Sequence, residues 1–395
     1  MRDWPRRPLG DIAQVVDCEH KTAPAAPAGL EFGYSVGTPH LRDGRIDYAA
    51  AKWVTRETYE AWSRRAVLRQ GDLILAREAP VGQVALVDPV LPTCLGQRTV
   101  LVRPDTELVV DRFLHGYLLG AEAQRWMEDR STGSTVAHLN VADVREIPVA
   151  LPPIPEQHRI ASLLCAFDDL IETNRTLVER LVAEARIAFE RFSPTADQSL
   201  TYADVVDIAG GGTPSTKTPD FWDGDIRWAT PSDMTALPSP FLFDTGRKIT
   251  VEGLDSCSSA LYPAGSILMT SRATIGVFAV AQVPTALNQG FIVVQPRSDA
   301  DGCFLLLEMM SRVPDYLAHA NGSTFLEISR GKFKALPVSW PSVLDRERLH
   351  AEAEPLLTSA AQLETEIADL IRTRDDLLPL LMSGTVRVAE VEAVA

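Results

Sequence analysis

The longest regular pattern of apolar and polar positions in the chain runs from Leu151 to Phe192. Apolar residues recur there every three or four positions, which is the stripe of an amphipathic helix. Three prolines stand at the start of this stretch, where a first helical turn tolerates them, and none follows Glu156 before the stretch ends. The pattern predicts one helix over 153–192, which is longer than the core of a single domain requires.

A second stretch, from Leu344 to Met382, repeats the same spacing of apolar residues. It predicts a second long helix over 342–383, with a kink or restart at Pro355 because proline lacks the backbone N–H of a helix interior. Each of the two helices carries an apolar stripe that must be buried. We therefore expect them to pack together as an antiparallel coiled coil.

The repetition extends beyond the two helices. Residues 133–160 align without gaps on 322–349, 94–104 on 286–296, and 71–82 on 265–276, with offsets of only 189 to 194 residues. Self-similarity at a fixed offset indicates one structural unit that is present twice. The predicted domains are 1–152, the helix 153–192, 193–341, the helix 342–383, and a tail over 384–395.

Short β-branched and apolar runs within the two globular segments predict strands. They lie at 34–36, 72–76, 83–87 and 99–102 in the first segment and at 226–229, 266–270, 277–281 and 291–294 in the second. Helices are predicted over 55–65, 111–129 and 302–318. The expected fold class is α+β, with two similar mixed α/β domains, a pseudo-two-fold internal repeat, and two long helices between them.

Composition narrows the class of protein. The chain has 395 residues, and its five cysteines are scattered without CxxC spacing, which favours a reduced cytoplasmic protein without a metal site. No apolar run reaches membrane-spanning length, and the first residues lack the core of a signal peptide. We therefore expect no membrane association.

The net charge of −15 argues mildly against nucleic acid as a partner. The distribution of charge weakens this argument. Up to Ile154 the chain carries 18 basic against 20 acidic residues, whereas the stretch from Leu344 to Met382 carries 4 against 9. The second globular segment, with 10 against 15 between Ser193 and Val343, is less favourable.

The sequence lacks the common catalytic motifs. Gly210-Gly211-Gly212 lacks the lysine spacing of a phosphate-binding loop and is interpreted as a flexible turn. The metalloprotease pattern HExxH, the hydrolase pattern GxSxG and clustered Cys/His ligands are absent. Pro152-Pro153 precedes Ile154 rather than the aromatic residue of an amino-methyltransferase motif. No catalytic residue is predicted.

Several repeated polar positions have two interpretations. Arg77 and Arg272 follow a strand in both copies, one position out of register, and either bond guanine or phosphate or pair with a carboxylate such as Glu78. The Gly-Ser-Thr sequences at 133–135 and 322–324 offer hydroxyls to phosphates or only end a helix. His40 contacts a base or phosphate, or forms a loop hydrogen bond.

Two further pairs are interpreted mainly as structural. Gln97 and Gln289 recur between apolar strands, and a buried amide is favoured over adenine readout. Trp222 and Trp228 either stack on DNA or belong to the core, and core is the usual place for aromatic residues in a small mixed domain.

Three segments carry a resemblance to a known family: GGTPSTKTPDFWDGDIRWATPSD (211–233), LPPIPEQHRIASLLCAFDDLIETN (151–174) and SRATIG (271–276). With them, the chain resembles the specificity subunit of Type I restriction-modification systems over essentially its whole length. The resemblance implies two target-recognition domains, each reading one half of a split DNA sequence. The helices between them act as a ruler and dock methyltransferase subunits. Val343-Leu344-Asp345-Arg346 departs from the Pro-Glu-Gln of the first junction, which puts equal docking at both junctions in doubt.

The resemblance also implies the partners. They are double-stranded DNA with a bipartite site, two methyltransferase subunits that carry S-adenosylmethionine, and two restriction motor and nuclease subunits where the system also cuts DNA; this chain itself holds no cofactor. The residues expected to contact DNA are His40, Arg42, Arg45, Arg77, Ser134, Thr135, Lys217, Arg227, Ser232, Arg272, Ser323 and Thr324. The residues expected to dock methyltransferase are Pro155, Glu156, Gln157, Arg159, Asp345 and Arg346.

A physical argument leads to a similar function. Antiparallel helices of equal length place their attached domains at opposite ends, related by an approximate two-fold axis like that of DNA. Reading major grooves one turn apart requires centres about 34 Å apart. Because the two globular segments differ between their shared strands, the target is expected to be asymmetric and interrupted. The alternatives are a specificity subunit of a methylation-only or fused-enzyme system, an assembly scaffold that reads no DNA, and an enzyme with its own S-adenosylmethionine site.

Overall fold

The computed structural model describes residues 4–88, 91–132, 137–192, 196–197, 199–322 and 326–388. The chain divides into two compact units. Unit 1 comprises Met1–Ile171 and Asp369–Ala395, and unit 2 comprises Glu172–Ala368. Each unit therefore consists of a globular part together with a portion of both long helices.

Unit 1 begins with short strands and short helices. Its strands are β1 (Arg6–Pro8), β2 (Ala13–Asp17), β3 (Gly33–Val36), β4 (Leu41–Arg42), β5 (Arg45–Ile46), β6 (Lys52–Val54), β7 (Leu73–Ala76), β8 (Val84–Leu86), β9 (Thr93–Leu95), β10 (Thr99–Pro104) and β11 (Pro148–Ala150). Its short helices are α1 (Arg56–Trp62), α2 (Asp111–Leu119), α3 (Ala121–Arg130) and α4 (Val141–Arg145). The first long helix, α5, spans Ile154–Arg191.

The strands of unit 1 form two principal sheets. One is antiparallel with the order β2-β10-β7-β8, and the other has the order β6-β3-β9, in which β3 and β9 run parallel. The strand β7 is apolar and buried on both faces, and β10 is buried over Thr99–Val102, as expected for central strands. A separate pair, β1 with β11, closes the unit just before α5.

Unit 2 repeats the plan. Its strands are β12 (Ala196–Asp197), β13 (Asp207–Gly210), β14 (Trp222–Ala229), β15 (Phe241–Leu242), β16 (Lys248–Ile249), β17 (Ile267–Thr270), β18 (Phe278–Ala281), β19 (Thr285–Leu287), β20 (Phe291–Gln295) and β21 (Trp340–Pro341). Its helices are α6 (Tyr202–Val205), α7 (Pro231–Ala236), α8 (Val251–Asp255), α9 (Asp299–Ser311), α10 (Val313–Ala318), α11 (Arg330–Lys334) and α12 (Val343–Met382), the second long helix.

The sheets of unit 2 match those of unit 1 strand for strand. The order β13-β20-β17-β18 corresponds to β2-β10-β7-β8, β16-β14-β19 corresponds to β6-β3-β9, and the pair β12 with β21 corresponds to β1 with β11. The parallel pairing recurs as well, between β14 and β19. Unit 2 adds β15 beside β18, whereas unit 1 adds the hairpin of β4 and β5. The predicted α+β class with an internal repeat is confirmed.

The long helices pair in opposite directions within each unit. In unit 1 the beginning of α5 lies with the end of α12: Arg374 Nη1 is 2.7 Å from Asp168 Oδ1, and Gly116 of α2 lies beside Leu164 and Met382. In unit 2 the end of α5 and the beginning of α12 pack on the same helix α9. The contacts are the Phe189–Phe304 ring pair and, on α12, the side chains of His350 and Glu354, whose polar atoms lie within 4.8 Å of Cys303 Sγ. The predicted antiparallel packing is confirmed.

Three details of the helix predictions are wrong. The helix predicted over 111–129 is broken at Gly120, whose backbone is extended, with φ −69° and ψ 151°. The helix predicted over 302–318 is likewise broken at Arg312, because Pro314 in the next turn has no N–H to continue the hydrogen-bond ladder. At Pro355 the predicted restart does not occur, and α12 is continuous.

The core of unit 1 contains residues from both ends of the chain. Leu9 and Ile12 near the start, Ile160 and Leu164 on α5, and Leu381 near the end of α12 are all buried in one cluster. The apolar residues at the beginning of α5 and at the end of α12 are therefore buried in this core. Among the helices of the described ranges, none combines the length and the apolar character needed to cross a membrane.

We expect substitution of Gly211 by alanine to destabilise unit 2. A Cβ at this position would overlap the carbonyl oxygens of Leu287 and Asn288, which belong to rigid backbone, so the cost is expected to be about 1–3 kcal/mol or more. Gly331→Ala is the matched control, since a Cβ there meets nothing within 4 Å and alanine favours the helix α11. Chemical denaturation of both variants measures the difference, and equal midpoints would contradict the packing argument.

Unit 1 contains a histidine that is expected to make its stability depend on pH. Burial lowers the pKa of His115 below its ordinary value of 6.5, and this effect outweighs the carboxylate of Asp168, which raises it. The unfolded chain therefore takes up a proton more readily than the folded chain. The stabilisation is fully present above pH 6.5 and is lost as the pH falls toward the folded pKa.

The measurement is the free energy of unfolding of the wild type and of His115→Gln at about pH 7.5 and pH 5.5. We expect the wild type to lose more stability than the variant over this interval. His158→Gln, which changes an exposed ring on α5, serves as the control and should follow the wild type. Parallel pH profiles for the wild type and His115→Gln would refute the assignment.

Candidate nucleic-acid interface

The repeated sequence motifs of unit 1 meet at one place, where the central strands end. Gln97 follows β9, is exposed, and its Oε1 accepts a hydrogen bond of 3.1 Å from the Thr22 hydroxyl. The Arg77 N–H donates to Arg98 O, and the Leu139 N–H donates to Arg77 O. These bonds bring four segments together, and we call them the loop cluster of unit 1: residues 20–22, 77–82, 96–98 and 137–139.

Unit 2 builds the same cluster with the same bonds. The Thr213 hydroxyl donates to Oε1 of the exposed Gln289. The Ser271 N–H donates to Gly290 O, and the Ile328 N–H donates to Ser271 O. The two main-chain bonds join the positions that align with those of unit 1, and in both units the glutamine accepts from a threonine in the loop after the first strand of the antiparallel sheet. The loop cluster of unit 2 comprises residues 211–213, 271–276, 288–290 and 326–328.

The glycines of this cluster are packed rather than flexible, which corrects the sequence interpretation. Gly210 ends the strand β13. A Cβ on Gly211 would overlap the carbonyl oxygens of Leu287, the last residue of β19, and of Asn288, and a Cβ on Gly212 would lie 2.5 Å from Ser258 Oγ. Because these glycines lack a side chain, the chain passes close to the end of β19, and Thr213 comes to lie beside Gln289.

The buried-amide interpretation of Gln97 and Gln289 is wrong. Both side chains are exposed, although both follow buried strands. In each unit the amide is held by a threonine hydroxyl from a loop distant in sequence. Sequence alignment of the two copies identified the pair, but only the strand geometry shows that the side chains point to solvent.

Arg77 and Arg272 are not equivalent. Arg77 is 3% exposed, and its guanidinium donates to Leu139 O at 3.1 Å and to Asp17 Oδ1 at 3.4 Å. Arg272 is exposed and lies 3.2 Å from Glu327. The contact predicted for Arg77 conflicts with this burial, which gives it a structural role, whereas Arg272 is on the surface of the loop cluster.

At the position of Arg272, unit 1 has Glu78. Its carboxylate lies 2.7 Å from His138 Nδ1 and 3.0 Å from Arg98 Nε. The counterpart of His138 in unit 2 is Glu327, the partner of Arg272. The first of these two matching positions is Glu78 in unit 1 and Arg272 in unit 2. The second is His138 in unit 1 and Glu327 in unit 2. The two clusters share a backbone and differ in charge.

The other expected DNA contacts of unit 1 lie near β4 and β5. His40 Nδ1 accepts a bond of 3.0 Å from the Gly37 N–H, and burial lowers the pKa of the ring, so it is neutral at pH 7. This bond agrees with the second interpretation of His40, in which the ring forms a loop hydrogen bond. Arg42 is exposed and bonds Pro39 O, while Arg45 reaches Asp168 O on α5 at 3.3 Å.

In unit 2 three further expected contacts lie in the loop before β14, in β14 itself and in the short helix α7. Lys217 and Ser232 are exposed, and Arg227 is paired with Asp244 at 3.1 Å. Trp222 and Trp228 are buried, in agreement with the core interpretation.

Four of the expected contacts, Ser134, Thr135, Ser323 and Thr324, lie outside the described residues. Their flanking segments, 137–139 and 326–328, belong to the loop clusters.

Two groups of side chains bring possible metal ligands within 4.8 Å of one another: Asp17, Cys18 and His20, and Cys303, His350 and Glu354. In the first group, Asp17 is already paired with His20 at 2.8 Å. In the second, burial raises the pKa of Cys303 to about 12, so the thiol is protonated and a poor ligand. Neither group favours a metal ion.

A family model described as the Type I restriction modification DNA specificity domain matches residues 1–182 and 198–367. The chain belongs to this family. The two matched segments coincide with the repeat that the sheets display, so each unit is one specificity domain together with long-helix sequence.

The relatives carry the same description. The chain is 34% identical over 148 residues to the type I restriction enzyme MjaIX specificity subunit of Methanocaldococcus jannaschii, which covers 37% of this chain and 34% of the relative. It is 26% identical over 223 residues to the EcoR124I/EcoR124II specificity subunit of Escherichia coli, covering 52% of this chain and 54% of the relative. The matched regions thus span only a third to about a half of these relatives.

A solved structure agrees in fold. The S subunit of a Type I restriction-modification system from M. genitalium matches with a TM-score of 0.54 at 15% identity, covering 96% of each chain. At this identity the likeness supports the fold alone.

The junction motif of this specificity domain has an internal role in unit 1. Gln157, in the first turns of α5, is 1% exposed. Its Oε1 accepts from the Val110 N–H at 2.8 Å, and its Nε2 donates to Pro152 O at 2.9 Å and Leu108 O at 3.3 Å. Val110 is the residue that caps α2. The glutamine therefore fastens the start of α5 to the start of α2.

Arg346 occupies the aligned position in unit 2 and makes the corresponding bonds. It is 8% exposed, its Nε donates to Asp301 Oδ1 at 2.7 Å, and its Nη1 donates to Pro341 O, the counterpart of Pro152 O. Its guanidinium also lies over the Trp340 ring, 4.3 Å from the centroid. Asp301 lies in the first turn of α9, so this clamp also joins two helix starts.

The departure from the Pro-Glu-Gln motif is therefore compensated inside unit 2, where Asp301 supplies the partner that arginine requires. The docking expected of Gln157 and Arg346 conflicts with their burial. Pro155 and Arg159 are exposed, and Glu156 and Asp345 are partly buried. Glu156 pairs with Arg159 at 2.9 Å, and Asp345 caps α12 together with Ser342. For these four residues docking stays a prediction.

We expect Arg346→Ala to destabilise the chain by about 3–5 kcal/mol, because it leaves Asp301 buried without its partner. Arg348→Ala, on the same helix but 69% exposed and 3.4 Å from Asp345, should cost less than about 0.5 kcal/mol. The double change Arg346→Ala with Asp301→Ala should cost less than the sum of its parts. Urea denaturation of these three variants and of Asp301→Ala gives the four values, and additive costs would mean that the two side chains act independently.

Proposed function

We propose that this chain is the DNA sequence-recognition subunit of a Type I restriction-modification complex. In this proposal the target-recognition domains are 1–152 and 193–341, and each reads one half of an asymmetric, interrupted DNA site. The helices 153–192 and 342–383 set the spacing of the halves. The observation that carries the proposal is the loop cluster, which both units build on one backbone with different charged side chains.

This arrangement suits the reading of two different half-sites. A shared backbone presents side chains to DNA in the same way in each unit, while Glu78 with His138 and Arg272 with Glu327 give different hydrogen-bonding groups at matching positions. An assembly scaffold gives no reason for the two units to keep the same loop backbone while their charged side chains differ.

The chemistry is assigned to the partners. We propose that this chain is non-catalytic, and that two methyltransferase subunits bind S-adenosylmethionine and methylate adenine in the half-sites. Two motor and nuclease subunits join where the system also cuts DNA. The net charge of −15 accords with a division of labour in which basic partner surfaces neutralise much of the DNA backbone.

The start of each long helix is the proposed methyltransferase surface. Pro155 and Arg159 are exposed at the start of α5. At the start of α12, Val343 and Leu344 are 61% and 57% exposed, and Arg348 is exposed at the position that aligns with Arg159. Exposed large apolar side chains next to a junction are typical of a protein contact. The two junctions therefore offer different docking surfaces.

The proposal is tested by co-expressing the chain with its neighbouring methyltransferase in a host without modification and mapping methylated adenines across the genome. We expect one interrupted motif with two different halves. Exchanging residues 1–152 for the corresponding segment of a relative should change one half and leave the other.

A continuous or absent motif would overturn the proposal, and an unchanged motif after the exchange would favour the scaffold. In gel-shift experiments the isolated chain should bind its motif weakly, and the methyltransferase should strengthen binding. Tight binding by the chain alone would contradict the division of labour. A methylation-only system and a complete restriction system give the same motif and differ in whether DNA with unmodified sites is cut.

A further inference from the structure

The exposed glutamines of the two loop clusters are the most specific feature that the sequence repeat and the structure share. Resting on the proposed function, we propose that Gln97 and Gln289 each read an adenine at matching positions of the two half-sites. The glutamine amide is the side-chain group that bonds adenine bidentately, since its oxygen accepts from N6–H and its NH₂ donates to N7.

The hydrogen bonds around each amide leave these functions available. The threonine hydroxyl occupies one lone pair of Oε1, in Gln97 through Thr22 and in Gln289 through Thr213. An amide oxygen has a second lone pair, and the NH₂ group has two donors. In unit 1 one of those donors reaches His20 O at 3.5 Å, a long contact. The threonine therefore orients the amide, and a bidentate face remains.

The neighbours of the two glutamines differ while the glutamine and its threonine do not. Arg98 follows Gln97, whereas Gly290 follows Gln289, and Gly96 precedes the first where Asn288 precedes the second. Exposed positions in two otherwise divergent copies have no packing reason to agree. A shared chemical target explains the agreement, and the varied neighbours explain how the remaining bases of each half-site differ.

A base contact accounts for the residue type better than a phosphate contact. Phosphates are bound most strongly by cations. The exposed arginines of the two loop clusters, Arg98 and Arg272, are each paired with a carboxylate, at 3.0 Å and 3.2 Å. The neutral amide in each loop cluster can discriminate bases by donor and acceptor pattern, which a cation on a phosphate cannot do.

The test uses the complex of the full chain with its methyltransferase and the genome-wide map of methylated adenines. Gln97→Ala should relax one position of one half of the motif, with discrimination against other bases reduced about tenfold to a hundredfold, and leave the second half intact. Gln289→Ala should relax the matching position of the second half only.

A conservative variant tests the chemistry. Gln97→Glu keeps the acceptor and removes the donor, so it should shift preference at that position from adenine toward cytosine, whose N4 donates. Thr22→Val removes the orienting bond and should weaken discrimination at the same position to a smaller extent. Gln70→Ala and Gln362→Ala remove exposed glutamines outside the loop clusters and should leave the motif unchanged.

The outcomes separate the possibilities. A uniform loss of methylation at all sites, with the motif unchanged, would mean that the glutamines contact the DNA backbone and would overturn the inference. An unchanged motif at unchanged efficiency would overturn it as well. If the wild-type complex gives no interrupted motif, the proposed function itself fails. A wild-type motif that Gln97→Ala and Gln289→Ala leave intact refutes only the role of the glutamines.

Discussion

The constraint on which unit 1 depends is that its core is completed from the far end of the chain. Ile160 and Leu164 of α5 share one buried cluster with Leu381 and Met382 of α12, and Arg374 pairs with Asp168 between the two helices. An amphipathic helix is stabilised mainly by burial of its apolar face rather than by its own hydrogen bonds. The long helices are therefore structural parts of the units and not only connections between them, and the first unit cannot be complete until the last helix has formed.

The start of each long helix is fixed by a buried polar clamp. Gln157 and Arg346 stand at aligned positions, and both bond the carbonyl of an aligned proline and the start of the helix that covers the core. A neutral amide satisfies backbone groups by itself, whereas a buried guanidinium requires a carboxylate, and Asp301 provides it. The divergence of the junction sequence thus preserves the geometry, and the exposed residues around it are left to differ between the two junctions.

The loop clusters show how one backbone can serve two specificities. The bonds from Arg77 to Arg98 and from Ser271 to Gly290 are main-chain bonds and do not depend on the side chains. The side chains are therefore free to change sign, as they do between Glu78 and Arg272. The family assignment, the repeated cluster and the threonine-held glutamines together support a division in which the backbone positions the chain on DNA and the side chains select the bases.

The sequence by itself determined the long helices, the duplicated plan and most of the strands. The spacing of apolar residues and the β-branched runs are local properties of the chain, and the repeat can be found by aligning the sequence with itself. It did not determine where single side chains point. Arg77 is buried and Gln97 is exposed, although both lie next to buried strands, because register and the approach of a distant loop decide which face a strand-end residue occupies. The buried roles of Gln157 and Arg346 depend on partners 45 to 49 residues away. Such contacts exist only once the tertiary structure brings the segments together.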